Sequence, residues 1–212
     1  MNLSNYYWYF QSAIPERICN EIIKYGLGHK DNIAITGNFG RNRNLKEQPL
    51  NKKELKNLKN KRNSTIAWLN DSWIHKEIHP FIRIANQSAG WNFQWEWSES
   101  CQFTKYKKNQ HYGWHCDSWE TSYQEPGTYK DKTRKLSSIL ILSDPKDYSG
   151  GDLEFDFRNV DPAKKRNTKI CTEIRSKGSI VIFPSFVWHR VKPVKKGIRY
   201  SLVNWHLGKH FT

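Results

Sequence analysis

His115 and Asp117, in the stretch Gln110-His-Tyr-Gly-Trp-His-Cys-Asp117, put an imidazole and a carboxylate two residues apart. Side chains at i and i+2 of a β-strand share a face, so both can reach one ion, and Cys116 between them should face away. A third ligand is available downstream: His189, at the end of Phe183-Pro-Ser-Phe-Val-Trp-His189. Two imidazoles and one carboxylate on a ferrous ion form a facial triad that leaves positions open for substrate and O2. The required protonation states, neutral imidazole and ionised carboxylate, are the ordinary ones near pH 7. His-x-Asp is a short pattern, and a His and an Asp on the polar face of a strand is the plainer reading of those two residues alone. Arg199, ten residues after His189, supplies context. A turn containing Gly197 predicts two antiparallel strands running back past each other, which brings Arg199 close to the metal but not onto it. A guanidinium there is suited to gripping a carboxylate through paired hydrogen bonds.

The elements that must hold these groups follow from periodicity. Residues 6–10 are aromatic and read as a strand. Pro15 opens a helical pattern with Ile18, Ile22 and Tyr25 on one face, ending at Gly26 and Gly28; Ile74, Ile78, Phe81, Ile82 and Ala85 mark a second helix, disturbed at Pro80. Residues 31–39 suit a strand. The segment 41–62 is polar and basic, with Lys52, Lys53, Lys56, Lys59, Lys61 and Arg62. It reads either as a solvated face or as a clamp for an acidic substrate. Trp91, Phe93, Trp95 and Trp97 alternate with polar residues, predicting a half-buried strand. Short strands are expected at 101–107, 112–116, 136–142, 152–157, 169–174, 179–183, 187–192 and 200–206. Turn signals at Asp144-Pro145, Gly150-Gly151, Asp161-Pro162 and Lys177-Gly178 separate them. Gly150-Gly151 precedes a strand, not a helix, so it lacks what a phosphate loop requires. Residues 118–133 form a long aromatic loop beside the His-x-Asp strand, either a lid or an insertion. Helices followed by many strands predict a mainly β fold with N-terminal helices: a double-sheet jelly roll buttressed by those helices. One domain is expected over 1–212, with 1–90 as buttress and 91–208 as jelly-roll core.

Together these motifs resemble the Fe(II)/2-oxoglutarate-dependent dioxygenases of the prolyl 4-hydroxylase superfamily, PKHD-type hydroxylases among them. The likeness is carried by Tyr106 and His115-x-Asp117, by Arg134-Lys-Leu-Ser-Ser-Ile-Leu-Ile-Leu-Ser143 and by Tyr148-x-Gly-Gly-Asp-Leu-Glu-Phe155. It continues through Gly178-Ser-Ile-Val-Ile-Phe-Pro184, His189-Arg-Val-x-Pro-Val-x-x-Gly-x-Arg199 and Tyr200-Ser-Leu-Val-x-Trp205. It is strong over 100–208 and loose before that. The resemblance implies a double-stranded β-helix with Fe(II) at its open mouth, held by His115, Asp117 and His189. It implies 2-oxoglutarate as cosubstrate, O2 as oxidant, succinate and CO2 as coproducts, and ascorbate as an accessory reductant. Arg199 would pair with the distal carboxylate of 2-oxoglutarate. Tyr106 matches a tyrosine that hydrogen-bonds the same cosubstrate, and Ser201 shares Arg199's strand face. Arg134 and Trp205 match positions that contact peptide substrate in some relatives; a surface charge and a core residue are their plainer readings. Where some prolyl hydroxylases carry a second cosubstrate tyrosine, this chain has Ile141 or its neighbours.

The reaction class so implied is hydroxylation, with a prolyl residue of a peptide or protein as the expected substrate. Nothing in the residues themselves selects proline. Two other classes compete. Nucleic-acid oxidation of the AlkB-like kind suits the formal net charge of +15 and the aromatics. It expects Arg-x-Asn-x-Thr-x-Arg after the last histidine, of which Arg199-Tyr-Ser-Leu-Val-Asn-Trp205 keeps only the first position. A non-enzymatic jelly-roll binding module would not need all three ligands and Arg199. The charge favours an acidic partner or anionic cosubstrate. No apolar run is long enough to span a membrane. The first residues lack a signal-peptide pattern, and the four cysteines lack paired spacing, so a reducing, cytoplasmic location is expected. His75 and His79, spaced i and i+4, lack an acidic partner in sequence, and His111 and His206 carry no assignment.

Overall fold

The structure, a computed structural model, describes residues 3–36, 48–118, 120–124, 126–157 and 167–211. The first part of the basic segment, the end of the 31–39 stretch and the Asp161-Pro162 turn lie outside them. The helices are α1 (Glu16–Leu27), α2 (Lys52–Lys61) and α3 (Ser72–Ser88). The strands, in chain order, are β1 (Trp8–Phe10), β2 (Asn32–Ile33), β3 (Arg62–Asn63), β4 (Thr65–Leu69), β5 (Trp97–Ser98), β6 (Cys101–Tyr106), β7 (His111–His115) and β8 (Lys132–Ile141). They continue as β9 (Tyr148–Gly150), β10 (Leu153–Asp156), β11 (Thr168–Ile170), β12 (Ile180–Pro184), β13 (Trp188–Val191), β14 (Val194–Gly197) and β15 (Arg199–Lys209).

The major sheet runs β1-β12-β8-β15-β6-β4-β2, with β5 added to β15; the minor sheet runs β11-β10-β13-β7-β3, and β14 pairs with β9 separately. This is the jelly roll the strand pattern predicts. α1 and α3 cover the major sheet, and α2 lies at the β7–β3 edge of the minor one. Alternation along the major-sheet strands separates two cores. Phe103, Leu136, Leu140, Ile180, Ile182 and Leu202 face α1 and α3, where Ile18, Ile22, Ile74, Ile78, Ile82 and Ala85 meet them. Tyr106, Ile139, Ile141, Val181 and Phe183 face the minor sheet and pack on Phe155, Val187 and Val191. The site lies in this second layer, where apolar walls surround a few polar groups.

Three sequence expectations change, besides the strand expected at 169–174, which is confined to β11 and gives way to a 3-10 turn at Thr172–Ile174. α3 continues through Pro80, whose ring lies on the exposed face. The aromatic stretch 91–97 forms a strand only at Trp97–Ser98. Upstream, the Asn86 amide takes both backbone groups of Phe93, accepting from its N–H at 3.0 Å and donating to its carbonyl at 2.9 Å. A side chain thus does what a neighbouring strand would have done, and Trp91 and Phe93 are buried without one. The third change concerns Gly197. Its φ of +73° turns the chain, and a Cβ there would meet the Asp147 carbonyl at 1.9 Å. Yet the strands on either side of this region are not a hairpin: β13 pairs with β10 and β7, whereas β15 pairs with β5, β6 and β8. His189 and Arg199 therefore approach from opposite sheets.

The basic segment resolves into α2, started by a capping box in which Asn51 and Glu54 exchange hydrogen bonds at 2.9 and 2.8 Å. Its five lysines are exposed, as the solvated-face reading expects, but Arg62 behind them is buried. In the 118–133 stretch, Tyr123 accepts from Asp131 and donates to Lys132 through backbone bonds of 2.9 Å each, so the loop folds back on itself. Among the described residues no helix is long and apolar enough to cross a membrane, and the four cysteines are unpaired.

Candidate active site

β7 delivers His115 as its last residue, and Asp117 follows just beyond the strand, where its N–H and that of Ser118 donate to the Ser185 carbonyl at 2.8 and 3.0 Å. His189 sits on β13 directly opposite His115 in the ladder. One ligand atom from each of His115, Asp117 and His189 lies within 4.8 Å of the other two, and all three residues are buried. Each imidazole Nε2 stands 3.6 Å from a different Asp117 oxygen. The other ring nitrogens are occupied: His115 Nδ1 donates to the Gly113 carbonyl at 2.8 Å and His189 Nδ1 to the Val187 carbonyl at 3.0 Å. With the proton on Nδ1, the Nε2 lone pairs of both rings face the shared centre, the arrangement a metal-binding histidine needs.

Protonation is set correctly. Burial, reinforced by the neighbouring His189, holds His115 well below its ordinary value of 6.5, so the ring is neutral. Burial opposes ionisation of Asp117, but His189, His115 and Arg134 outweigh it, with a minor pull from Trp205, and the carboxyl lies at about 2. That pull acts at a distance, since the Trp205 indole N–H lacks hydrogen-bond geometry to any partner among the described residues.

Ser137 holds the carboxylate in place. Its hydroxyl donates to Asp117 Oδ2 at 2.8 Å and meets the Ser185 hydroxyl at 2.9 Å. A Ser buried in the apolar run 136–142 was a signal in the sequence, because such a hydroxyl needs a partner. Ser137→Ala should raise the apparent Fe(II) dissociation constant about 10–100-fold, the usual cost of losing an outer partner of a ligand. Iron titration under anaerobic conditions measures this; unchanged affinity would show that Asp117 needs no such support.

Tyr112 was not legible in the sequence. Alternation puts residues 112 and 115 on opposite faces, but a register irregularity in the β7–β13 ladder sets the Tyr112 ring flat on His115, with centroids 3.5 Å apart and planes at 13°. Cys116 is half-buried and its thiol meets the Ser118 carbonyl, away from the ligand set.

Arg199 faces the same space from β15. It is 2% exposed, and its Nη1 donates to Ser201 Oγ at 3.0 Å. Its Cζ lies 5.6 Å from the centre of the Tyr106 ring, which sits opposite it in the β6–β15 ladder. Gly151, at φ +67°, leaves the space the side chain passes through: a Cβ there would meet Arg199 Cδ at 2.8 Å. Among the described residues no carboxylate lies within 4.0 Å of this guanidinium. A buried cation without a counter-ion is costly, and a bound dicarboxylic acid is the ligand that would neutralise it. The donor set therefore fits both groups the sequence implies, a metal at His115, Asp117 and His189 and 2-oxoglutarate at Arg199.

Arg134 and Trp205 are brought together, 4.0 Å from guanidinium carbon to ring centre. The β8–β15 register slips past Lys135, which puts Arg134 on the face of Trp205. Arg134 is not free: it clamps Glu99 with two hydrogen bonds of 2.6 Å, and Tyr123 donates to the same carboxylate. Glu99 is the partner that sequence reasoning missed.

His75, His79 and His206 gather on the helix-covered side of the major sheet, whereas His111 lies on β7 and meets the Asn60 carbonyl at 3.1 Å. His206 Nδ1 and His79 Nε2 share the Ser98 hydroxyl at 2.9 and 3.1 Å, and His75 and His79 rings lie 5.1 Å apart. Burial, then the charges of His75 and Arg83, draw His79 down to about 4; burial also lowers His75 and, strongly, His206. Folded-state values below the ordinary 6.5 mean that the unfolded chain binds more protons. The stability these rings contribute is complete above pH 6.5 and is lost as pH falls toward about 4. The thermal midpoint of the metal-free protein should drop across that window, whereas Asp117 withdraws its share only between pH 3.8 and about 2. A midpoint that stays level from pH 6.5 to 4 would contradict neutral buried imidazoles.

Comparison with known proteins follows the same lines. PKHD-type hydroxylase YbiX of Shigella boydii is 32% identical over 103 residues, 49% of this chain and 40% of that protein. A PKHD-type hydroxylase of Crocosphaera subtropica is 34% identical over 106 residues, 50% of this chain and 41% of that protein. The match thus spans about two fifths of these relatives' length. Among solved structures, a viral collagen prolyl hydroxylase from Paramecium bursaria Chlorella virus-1, in complex with 2-oxoglutarate, superposes with a TM-score of 0.62 at 18% identity, covering 97% of each chain. A Pseudomonas putida prolyl-4-hydroxylase gives 0.61 at 18%, covering 98% of this chain and 95% of that one. These two share the fold. The model of the 2OG-Fe(II) oxygenase superfamily matches residues 101–207, just over half of the chain and the whole span that carries His115, Asp117, His189 and Arg199. By that match, the chain belongs to the 2OG-Fe(II) oxygenase superfamily.

Proposed function

We propose that this protein is an Fe(II)- and 2-oxoglutarate-dependent dioxygenase that hydroxylates a prolyl residue in a peptide or protein. One observation carries the reaction class: a His-Asp-His set on one sheet faces a buried arginine on the other that has no acid within 4.0 Å among the described residues. His115, Asp117 and His189 would hold the iron, and Arg199, with Ser201 and Tyr106, would hold the distal carboxylate of 2-oxoglutarate. When bound, ferrous iron and 2-oxoglutarate supply the oxidising power that inserts one oxygen of O2 into a C–H bond, with succinate and CO2 released. The chain's own groups do the positioning. The Gly113 and Val187 carbonyls fix both imidazole rings through Nδ1–H, Ser137 fixes the carboxylate, and Ile139, Ile141, Val181 and Phe183 exclude water from the layer between the sheets. Ascorbate enters as a reductant that keeps the metal ferrous.

The prolyl substrate is supported by the prolyl hydroxylases among the structural neighbours. A panel of prolyl peptides incubated with Fe(II), 2-oxoglutarate and ascorbate tests it by mass spectrometry. The reading expects a gain of one oxygen on proline, one succinate formed per product. Coupled turnover on another substrate class, with none on any prolyl peptide, would replace it.

A further inference from the structure

Arg62 is a second buried arginine beside the metal ligands, and its surroundings pose the same question as those of Arg199. It opens β3, the edge strand of the minor sheet, and is 5% exposed. Its Nε donates to Ser64 Oγ at 3.0 Å and its Nη2 to Gln102 Oε1 at 2.6 Å, both neutral acceptors. A guanidinium has five N–H donors. The others meet no acceptor among the described residues, and no carboxylate there lies within 4.0 Å. The neighbouring arginines are different: Arg134 is clamped to Glu99 and Arg190 to Glu154, each at 2.6 Å.

The place is as telling as the missing partner. The Arg62 guanidinium carbon stacks 4.5 Å over the Tyr112 ring, which itself lies 3.5 Å from the His115 ring, so the cation is at most about 8 Å from a metal ligand. Beside it, Trp68 on β4 sits opposite Gln102 in the ladder. Trp68 is 46% exposed, and its ring is 6.1 Å from that of Trp205. A chain entering along the exposed Trp68 therefore passes a fork of hydrogen-bond donors before it reaches the ligand set.

We infer that Arg62 binds a carboxylate of the primary substrate, making this enzyme selective for peptides with an acidic side chain close to the residue that reacts. Rotamer-locked by Ser64, Gln102 and Tyr112, the guanidinium offers the planar paired donors a carboxylate takes. At about 3.3–3.6 Å per extended residue, the reach from the ligand set corresponds to roughly two positions along the peptide. The net charge of +15 steers the same class of ligand toward the protein. This inference rests on the proposed site accepting a peptide, but its test is independent of turnover.

The probes are peptides blocked at both ends, each with one proline and with Glu, Gln or Lys one or two positions away on either side. Binding is measured by calorimetry to the anaerobic protein loaded with Fe(II) and 2-oxoglutarate. The best Glu peptide should bind at least about 10-fold tighter than its Gln counterpart, which corresponds to about 1.4 kcal/mol. In Arg62→Met that ratio should fall below about twofold, a difference of under ~0.5 kcal/mol, while 2-oxoglutarate affinity stays unchanged. Arg62→Lys should keep part of the preference, and Gln102→Leu, which removes one brace and leaves the cation, should lower it without abolishing it. The last two variants keep the test informative if Arg62→Met folds poorly. Equal binding of Glu and Gln peptides, an undiminished preference in all three variants, or no binding by any acidic peptide would each overturn the inference. Discrimination for Glu without an oxygenated product would instead leave the carboxylate site standing and reject the prolyl reading.

Discussion

His189→Ala is expected to abolish 2-oxoglutarate turnover, lowering kcat/KM by well over the roughly 100-fold that loss of an outer-shell partner costs. In the proposed ligand set His189 is the one contribution from β13; His115 and Asp117 come from β7 and the residues just after it. Without it two ligands remain on one side of the ion, and the facial arrangement is gone. The loss should not come from unfolding. His189 contributes one buried ring to a layer already closed by Phe155, Phe183 and Val187, so secondary structure by circular dichroism should match that of the parent protein. Iron titration of the variant should give an apparent dissociation constant raised in parallel with the loss of activity. Retained activity with iron still bound would mean that another residue completes the ligand set.

Arg199→Met separates cosubstrate binding from stability. Methionine nearly fills the space but carries no charge. Removing one partner of a buried hydrogen-bonded charge pair costs about 2–5 kcal/mol. At roughly 1.4 kcal/mol per decade, KM for 2-oxoglutarate should rise about 30-fold or more. Steady-state kinetics at saturating iron measures this. The ligand-free variant should melt no lower than the parent, because its buried cation without an acid has been replaced by an apolar group. A lower melting temperature with KM within about threefold of the parent value would make Arg199 structural, since a 1.4 kcal/mol loss alone would give tenfold.

The residues of the site were legible to very different degrees. His115 and Asp117 could be read from period-two spacing, and the chain places them together although Asp117 lies two residues past the end of the strand. Arg199 was legible as a residue but not as a geometry: a tight turn at Gly197 suggests a hairpin, whereas the chain passes through β14 and enters the opposite sheet. The partners were hidden. Glu99 meets Arg134 across 35 residues and Gln102 meets Arg62 across 40, and no local pattern announces which strands will face each other. Tyr112 was concealed by the ladder irregularity near Gly113, which defeats the alternation rule at the place where it matters. The strand expected at 91–97 failed because Asn86, near the end of α3, takes up the Phe93 backbone that a strand would have paired. The two-residue strands β2, β3 and β5 are too short for any periodicity to register.

The most direct measurement is optical titration of the anaerobic protein with Fe(II) and 2-oxoglutarate, following the visible charge-transfer absorption of a chelated ferrous centre. One iron and one 2-oxoglutarate per chain should generate the band, His189→Ala should lack it, and Arg199→Met should need far more 2-oxoglutarate to reach it. A chain that gives no such band at any loading, or one whose band survives in His189→Ala, would show that these three side chains do not hold the metal.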